Sequence, residues 1–181
     1  MRLAGTDNAG GGPVGDGVAM SFSSPELKIR TLAAQNAQLQ ADLGGSNPAT
    51  FRWYDRQLLQ NEIGKLVGNG ACVSATRVST MREMNQGGIQ NLSWTRIEIK
   101  VYDFDAQKAR SVANDVVVFM GTINLCTNQQ FGSPVTSISS NPSKLLNQRA
   151  GMLPNPQSPS GPVYVEHLDF RVANIESLSI S

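Results

Sequence analysis

The sequence predicts an α+β domain, with an antiparallel sheet of about four strands, two helices on one sheet face, the order α-β-β-α-β, and long polar loops. Two observations predict it. Over residues 95–102 apolar and charged residues alternate, which is the period of a strand with one buried side. After an Asp-rich turn, apolar residues recur at spacings of three and four over residues 106–120, which is the period of a helix lying on a core.

The first helix is predicted over residues 25–43. Ser24 is a favourable N-cap, Pro25 suits the first helical position, and Gly44 with Gly45 supplies the left-handed residue that commonly ends a helix. The apolar residues between these signals follow a helical spacing: Ile29, Leu32, Ala33, Leu39 and Leu43. We therefore expect one helix that packs a single stripe of side chains on the sheet.

The residue pattern in the middle of the chain predicts a β-hairpin. Residues 72–82 alternate weakly and should pair with residues 93–102 across a Gly-containing connection, residues 83–92, which we expect to be a mobile loop. Residues 47–69 precede the hairpin and carry mixed signals, with an extended pattern around Trp53 and a helical spacing after it. The sequence leaves the structure of this stretch open.

The last predicted strand, residues 163–172, should be central in the sheet because its apolar face is rich. Before it lies a Pro/Ser-rich insertion at about residues 126–162, whose prolines are expected to prevent an ordinary core element, although a short strand at 134–138 is allowed. Residues 1–19 are Gly-rich and predict a flexible arm, either disordered or ordered against a neighbouring subunit. Residues 20–181 are interpreted as one domain.

The composition of the chain argues against two classes of function, nucleic-acid binding and membrane insertion. Charged residues make up 16% of the chain and the net charge is +1, so the basic runs of a nucleic-acid-binding protein are missing and no sequence-specific nucleic-acid binding is expected. No apolar run approaches the roughly 20 residues that cross a bilayer, and the N-terminus shows no secretory signal. We expect a cytoplasmic protein without membrane contact, in which Cys72 and Cys126 are free thiols.

Candidate catalytic and metal-binding residues are few. His167 is the single histidine; with Asp169 it could form half of a metal site, but no second histidine or Cys pair completes it. Asp103 and Asp105 lie between a strand and a helix, where helix capping explains them better than a catalytic pair. We expect no enzymatic activity, no catalytic residues, no cofactor and no metal. A small ligand-binding or enzyme domain is the less favoured alternative.

The polar side of two predicted strands is the remaining candidate site. Its charged residues are either a solvated surface or a mating surface for another subunit. The candidate subunit-interface residues are Arg96, Glu98, Lys100, His167, Asp169 and Arg171.

Three segments resemble the tail terminator family of long-tailed bacteriophages, also called tail completion or minor tail proteins. They are the capped helix at residues 24–43, the strand-to-helix passage at 95–120, and the closing strand at 164–172. Family members typically carry an R-I-x-I-x-V-Y/W strand before the second helix, and an aspartate followed by an aromatic residue in the closing strand. The matching residues here are Arg96, Ile97, Ile99, Val101 and Tyr102, and Asp169 with Phe170.

The resemblance implies a virion structural protein that forms a homo-oligomeric ring, usually a hexamer. Such a ring sits on the last ring of the tail tube, stops tube polymerisation and offers a surface for head joining. The implied partners are tail tube protein on one face and head-tail connector protein on the other, and the implied location is the tail or neck region of the virion, after synthesis in the host cytoplasm. A head-tail connector or neck (head completion) ring protein is the alternative within the same assembly.

Overall fold

The computed structural model describes residues 24–45, 47, 49–83, 90–123, 125, 143–154 and 161–177. These residues form four helices, α1 (Pro25–Ala33), α2 (Ala37–Leu43), α3 (Gln60–Val67) and α4 (Ala106–Thr122). They also form five strands, β1 (Trp53–Tyr54), β2 (Cys72–Glu83), β3 (Gln90–Asp103), β4 (Ser143–Leu153) and β5 (Val163–Ser177). The strands make one sheet in the order β1-β2-β3-β5-β4. The predicted α+β class is confirmed, with one strand and two helices more than expected.

The helix predicted over residues 25–43 is two helices. α1 begins at the predicted N-cap, Ser24, whose hydroxyl accepts a backbone hydrogen bond from the first turn at 3.2 Å. Asn36 then adopts an extended conformation with ψ 119°, and its side-chain oxygen accepts a hydrogen bond of 3.0 Å that caps α2. Gly44 ends α2 with φ 98°, as predicted. The apolar stripe continues across the break, so the periodicity alone did not reveal it.

The predicted hairpin is confirmed and is longer than expected. β2 pairs antiparallel with β3 from Cys72↔Tyr102 to Glu83↔Leu92, so both ends of the predicted loop belong to strands. Residues 84–89 lie outside the described residues. The weak alternation in β2 has a physical cause, because a register shift between Arg77 and Ser79 leaves Val78 52% exposed. β5 lies between β3 and β4, which confirms the central position predicted for the closing strand.

β4 lies within the Pro/Ser-rich insertion, where no regular core element was expected, and that expectation was wrong for residues 143–153. The prolines of this stretch flank β4 at positions 142 and 154 and do not interrupt it. β4 is the last strand in the sheet order, with only β5 as a neighbour among the described residues, and most of its side chains are exposed. The proposed arm at 1–19 and the possible strand at 134–138 lie outside the described residues, so the domain division stays a prediction.

The main core lies between one sheet face and the helices α1, α2 and α4. Its largest buried side chains come from both layers: Ile29, Leu39, Leu43, Trp53, Ile97, Ile99, Val112, Met120, Leu168 and Phe170. Trp53 and Phe119 make an edge-to-face contact with ring centroids 6.2 Å apart. This layer fixes which strand residues point inward, and every second strand position therefore points to the other face.

α3 packs against that other face, which corrects the prediction of helices on one face alone. Ile63 and Val67 of α3 form a second cluster with Cys72, Tyr102 and Val165, whereas Val73 and Val101, the neighbours of Cys72 and Tyr102, belong to the main core. α3 thus covers one end of the second sheet face and leaves the charged strand positions beyond it without a helix among the described residues. None of the described helices is long and apolar enough to cross a membrane.

Candidate interaction surface on the sheet

All six predicted interface residues lie on the sheet face opposite α4. In each strand they alternate with core residues such as Ile97, Ile99 and Leu168, so they share the other face. The register between β3 and β5 places them directly opposite one another in pairs, Arg96↔Arg171, Glu98↔Asp169 and Lys100↔His167. The structure therefore brings together residues that lie about 70 positions apart in sequence, as expected for antiparallel strands joined by a long connection.

β4 extends these pairs into rows. Its register places Lys144 opposite Arg171, Asn147 opposite Asp169, and Arg149 opposite His167. We call the three rows the Arg171 row (Arg96, Arg171, Lys144), the Glu98 row (Glu98, Asp169) and the His167 row (Lys100, His167, Arg149), and the three together the charged face. Charges of one sign thus repeat across the strands, and the sign alternates along them.

Like charges that lie directly opposite each other destabilise a sheet. Ion pairs between neighbouring rows offset this repulsion. Arg96 Nη2 lies 2.9 Å from Asp169 Oδ2, and Lys100 Nζ lies 2.9 Å from Glu98 Oε2. The Glu98 row is therefore neutralised from both sides.

Glu98 is the centre of this network. Besides Lys100, it contacts His167 Nδ1 at 3.4 Å and Arg149 Nη2 at 3.7 Å. Partial burial raises the pKa of Glu98, but the hydrogen bonds and charges of Lys100 and His167 more than offset it, so that the pKa lies below its ordinary value. The side chains of Glu98 and His167 are only 21% and 23% exposed, so this pair is half-buried in the sheet surface.

The Arg171 row carries cations that the charged face does not neutralise. The Arg171 guanidinium lies 4.3 Å from the ring centroid of Trp94, a cation–π contact that fixes its position without cancelling its charge. Lys144 is exposed and has no ion-pair partner among the described residues. The charged face holds five lysine or arginine side chains and two carboxylates, an excess of three positive charges with His167 neutral.

The other candidate residues have structural roles. Asp105 caps α4 by accepting hydrogen bonds from the backbone N–H of Gln107 at 2.8 Å and of Lys108 at 3.4 Å. Asp103 accepts from the backbone N–H of Asp105 at 2.9 Å, so it stabilises the turn before α4, and the capping interpretation is confirmed for Asp105. Within the described parts of the chain, no group of three or more His, Cys, Asp or Glu residues is placed to hold a metal.

The sequence missed Lys144, Arg149 and Trp94 as members of this surface. The two cations lie in the insertion where no strand was expected. The bulge between Leu145 and Asn147 also breaks the alternation that would have marked β4 as a strand. Trp94 lies two positions before Arg96, and its place on the polar side of the strand was the available signal.

Comparisons with known proteins give a likeness to solved structures and to no known family. No model of a known protein family matches the chain, and no curated protein matches it. Among solved structures, a chain from the "Virion of native gene transfer agent (GTA) particle" is similar, with 15% sequence identity and a TM-score of 0.46. The similarity covers 82% of this chain and 92% of that chain.

Proposed function

We propose that the protein is a virion structural protein, a tail terminator whose subunits form a hexameric ring on the end of the tail tube. The ring stops tube polymerisation and presents its other face for head joining. The arrangement of the charged face carries this proposal, because six residues predicted to form an interface lie in rows of alternating sign on one sheet face.

Such a pattern suits a contact that must recognise one partner and reject others. A tail tube grows because each ring exposes a surface complementary to the next, which is a heterologous contact. A terminator has to match that surface on one side and differ from it on the other. Charge rows fix the register of a contact and repel surfaces with the wrong pattern, which gives specificity more than affinity.

The two sides of the domain differ in chemistry, so subunits of a ring can contact one another through unlike surfaces. One sheet face carries the charged face and the other is covered by α1, α2 and α4, whose outer surface exposes Val118 at 67%. A structural role also accounts for the ionisable residues considered as catalytic candidates. His167 and Asp169 are engaged with Glu98 and Arg96, and Asp103 and Asp105 with the start of α4.

Tube capping tests the proposal directly. Purified full-length protein is added to polymerising tail tube protein, and tube lengths and the ends of tubes are measured by electron microscopy. We expect shorter tubes with a ring of added density at one end. Glu98→Lys with Asp169→Lys reverses the sign of the central row and should abolish capping. The matched control is Lys65→Glu on the exposed side of α3.

Two outcomes would contradict the proposal that the protein is a tail terminator. Unchanged tube growth with bare ends in the presence of excess wild-type protein would overturn it. Binding of the protein only to tubes that already carry another end protein would favour the head-tail connector instead.

A further inference from the structure

The Arg171 row has two cations without an ion-pair partner within the part of the chain that the structure describes. Arg96 is paired with Asp169 within the face, whereas Arg171 stacks on Trp94 and Lys144 is exposed. A row of like charges directly opposite one another is unfavourable in an isolated sheet. An acidic partner lying across the row would remove that repulsion.

The helix layer carries a matching pair of carboxylates. Asp42 of α2 and Asp115 of α4 lie close enough to interact, and neither has a salt bridge within the described parts of the chain. Asp42 accepts a long hydrogen bond of 3.5 Å from Gln38. Burial, followed by the neighbouring charge of Asp115, raises the pKa of Asp42 by more than the hydrogen bond from Gln38 and the charge of Lys108 lower it, so the two carboxylates disfavour each other's charge.

The two surfaces lie on opposite sides of the sheet. α2 and α4 belong to the layer that covers the main core, whereas the Arg171 row lies on the other sheet face. One subunit therefore cannot bring the two surfaces together. Two copies can, and the contact between them is heterologous, the type that closes into a ring or continues as a filament.

We propose that the Arg171 row of one subunit docks on the Asp42–Asp115 pair of a second copy of this chain. Arg171 and Lys144 supply two cations for two carboxylates, so both surfaces are neutralised by one contact. The inference rests on the proposed ring and names the contact that closes it.

A second copy fits this row better than a nucleic acid does. The Glu98 row lies two strand residues away, a separation of about 7 Å at the usual rise of a strand. That is less than the Debye length of about 8–10 Å, so a continuous polyanion laid on the row would also be repelled by Glu98 and Asp169. A folded surface with two localised carboxylates avoids this repulsion.

Paired charge reversals test the contact in the full-length protein. Lys144→Glu reverses an exposed cation of the Arg171 row, and Asp115→Lys reverses a carboxylate of the proposed partner surface. Each variant alone should weaken self-association at least about tenfold, because like charges then face each other across the contact. An equimolar mixture should restore assembly, since every contact in an alternating ring of the two variants again joins opposite charges. Sedimentation velocity, alone and with tail tubes present, measures association.

A zero-length carbodiimide cross-link provides a second measurement on the wild type. With isotopically light and heavy copies mixed, we expect an isopeptide bond between Lys144 of one copy and Asp42 or Asp115 of the other. The control mixture is Lys65→Glu with Asp115→Lys. Lys65→Glu keeps both contact surfaces and should assemble by itself, but it should not bring Asp115→Lys into closed rings. Circular dichroism checks that each variant is folded.

The outcomes separate this inference from the proposed function. Tube capping with unchanged assembly of Lys144→Glu and no such cross-link would overturn the inference and leave the terminator standing. Cross-linked rings that do not stop tube growth would support the subunit contact and overturn the tail terminator. A wild-type protein that neither associates nor caps tubes would overturn both proposals. If Lys144→Glu loses binding to a DNA duplex while self-association is unchanged, the row binds a polyanion and the inference is wrong.

Discussion

Glu98 and Asp169 lie directly opposite each other in β3 and β5, and each carboxylate is held by a cation 2.9 Å away, Lys100 and Arg96 respectively. The acidic pair is therefore stable only while the cations of the neighbouring rows remain in place. This dependence makes the stability of the charged face measurable by mutation and by pH.

Lys100→Met should raise the pKa of Glu98. In the wild type this pKa is lowered from 4.5, so its contribution to stability is present above that value and is lost as the pH falls through the folded-state pKa. Without Lys100, burial raises the pKa and the loss of stability on acidification becomes smaller. The free energy of unfolding between pH 3 and 7 checks this. The control Lys65→Met should leave the pH dependence of the unfolding free energy unchanged. The same unchanged pH dependence in Lys100→Met would contradict the prediction.

Glu26→Gln should destabilise the protein by about 1.5–3 kcal/mol, the range for hydrogen bonds to charged groups. Arg77 binds Glu26 through two hydrogen bonds, of 2.9 and 3.0 Å, that tie α1 to β2, and the Glu26 side chain is 9% exposed. The matched control, Asp55→Asn, breaks the more exposed pair with Arg30 and should cost less than about 1 kcal/mol. Urea denaturation gives both unfolding free energies. Equal losses of stability in the two variants would contradict the larger role of the Glu26–Arg77 pair.

The Glu26 pair also predicts a pH dependence. Burial raises the pKa of Glu26, but its hydrogen bonds, chiefly from Arg77, more than offset this, so the pKa is lowered from 4.5. The pair therefore stabilises the fold above that pH and stops doing so as the pH falls through the folded-state pKa. Glu26→Gln should remove this part of the acid sensitivity, whereas Asp55→Asn should retain it.

Asn36→Ala distinguishes two helices from one. Asn36 caps α2, so its replacement by alanine should cost about 0.5–2 kcal/mol, whereas Asn36→Asp keeps the cap and should be nearly neutral. In a continuous helix over residues 25–43 alanine would stabilise, because it is the better helix former. A rise in the thermal unfolding temperature of Asn36→Ala would therefore contradict two helices and support one continuous helix over residues 25–43.

Gly44→Ala should be more damaging than Gly45→Ala. Both glycines have positive φ, 98° and 91°, so each substitution carries the left-handed penalty of about 1–2 kcal/mol. At Gly44 a Cβ atom would also lie 2.7 Å from the backbone oxygen of Thr50, whereas at Gly45 it would meet open space. The difference in unfolding free energy isolates the clash. Equal effects would show that the loop at residue 50 moves freely.

The Cys72 thiol should be unreactive in the folded protein. Burial raises its pKa to about 12, so almost no thiolate forms at pH 8. Alkylation followed by peptide mapping, which separates Cys72 from Cys126, should label Cys72 only after denaturation. Rapid labelling of Cys72 in native protein would contradict its buried position.

The elements that the sequence located correctly are those with a clear local period. β3, α4 and β5 each repeat one pattern over many residues, and Asp105 caps α4 where the sequence placed a cap. The break at Asn36 was missed because both helices keep their apolar residues on one side. β4 was missed because its bulge and its exposed edge position leave little alternation to detect.

Local periods of a few residues are enough to predict the α+β class, the strand-to-helix passage and the residues that share the polar faces of β3 and β5. The placement of Arg171 between Arg96 and Lys144, and of α3 on the sheet face opposite α4, depends on the tertiary structure. The physical reason is that strand order and register are set by contacts between distant segments. A local pattern shows which side chains share a face of their own strand, but not which charge lies opposite.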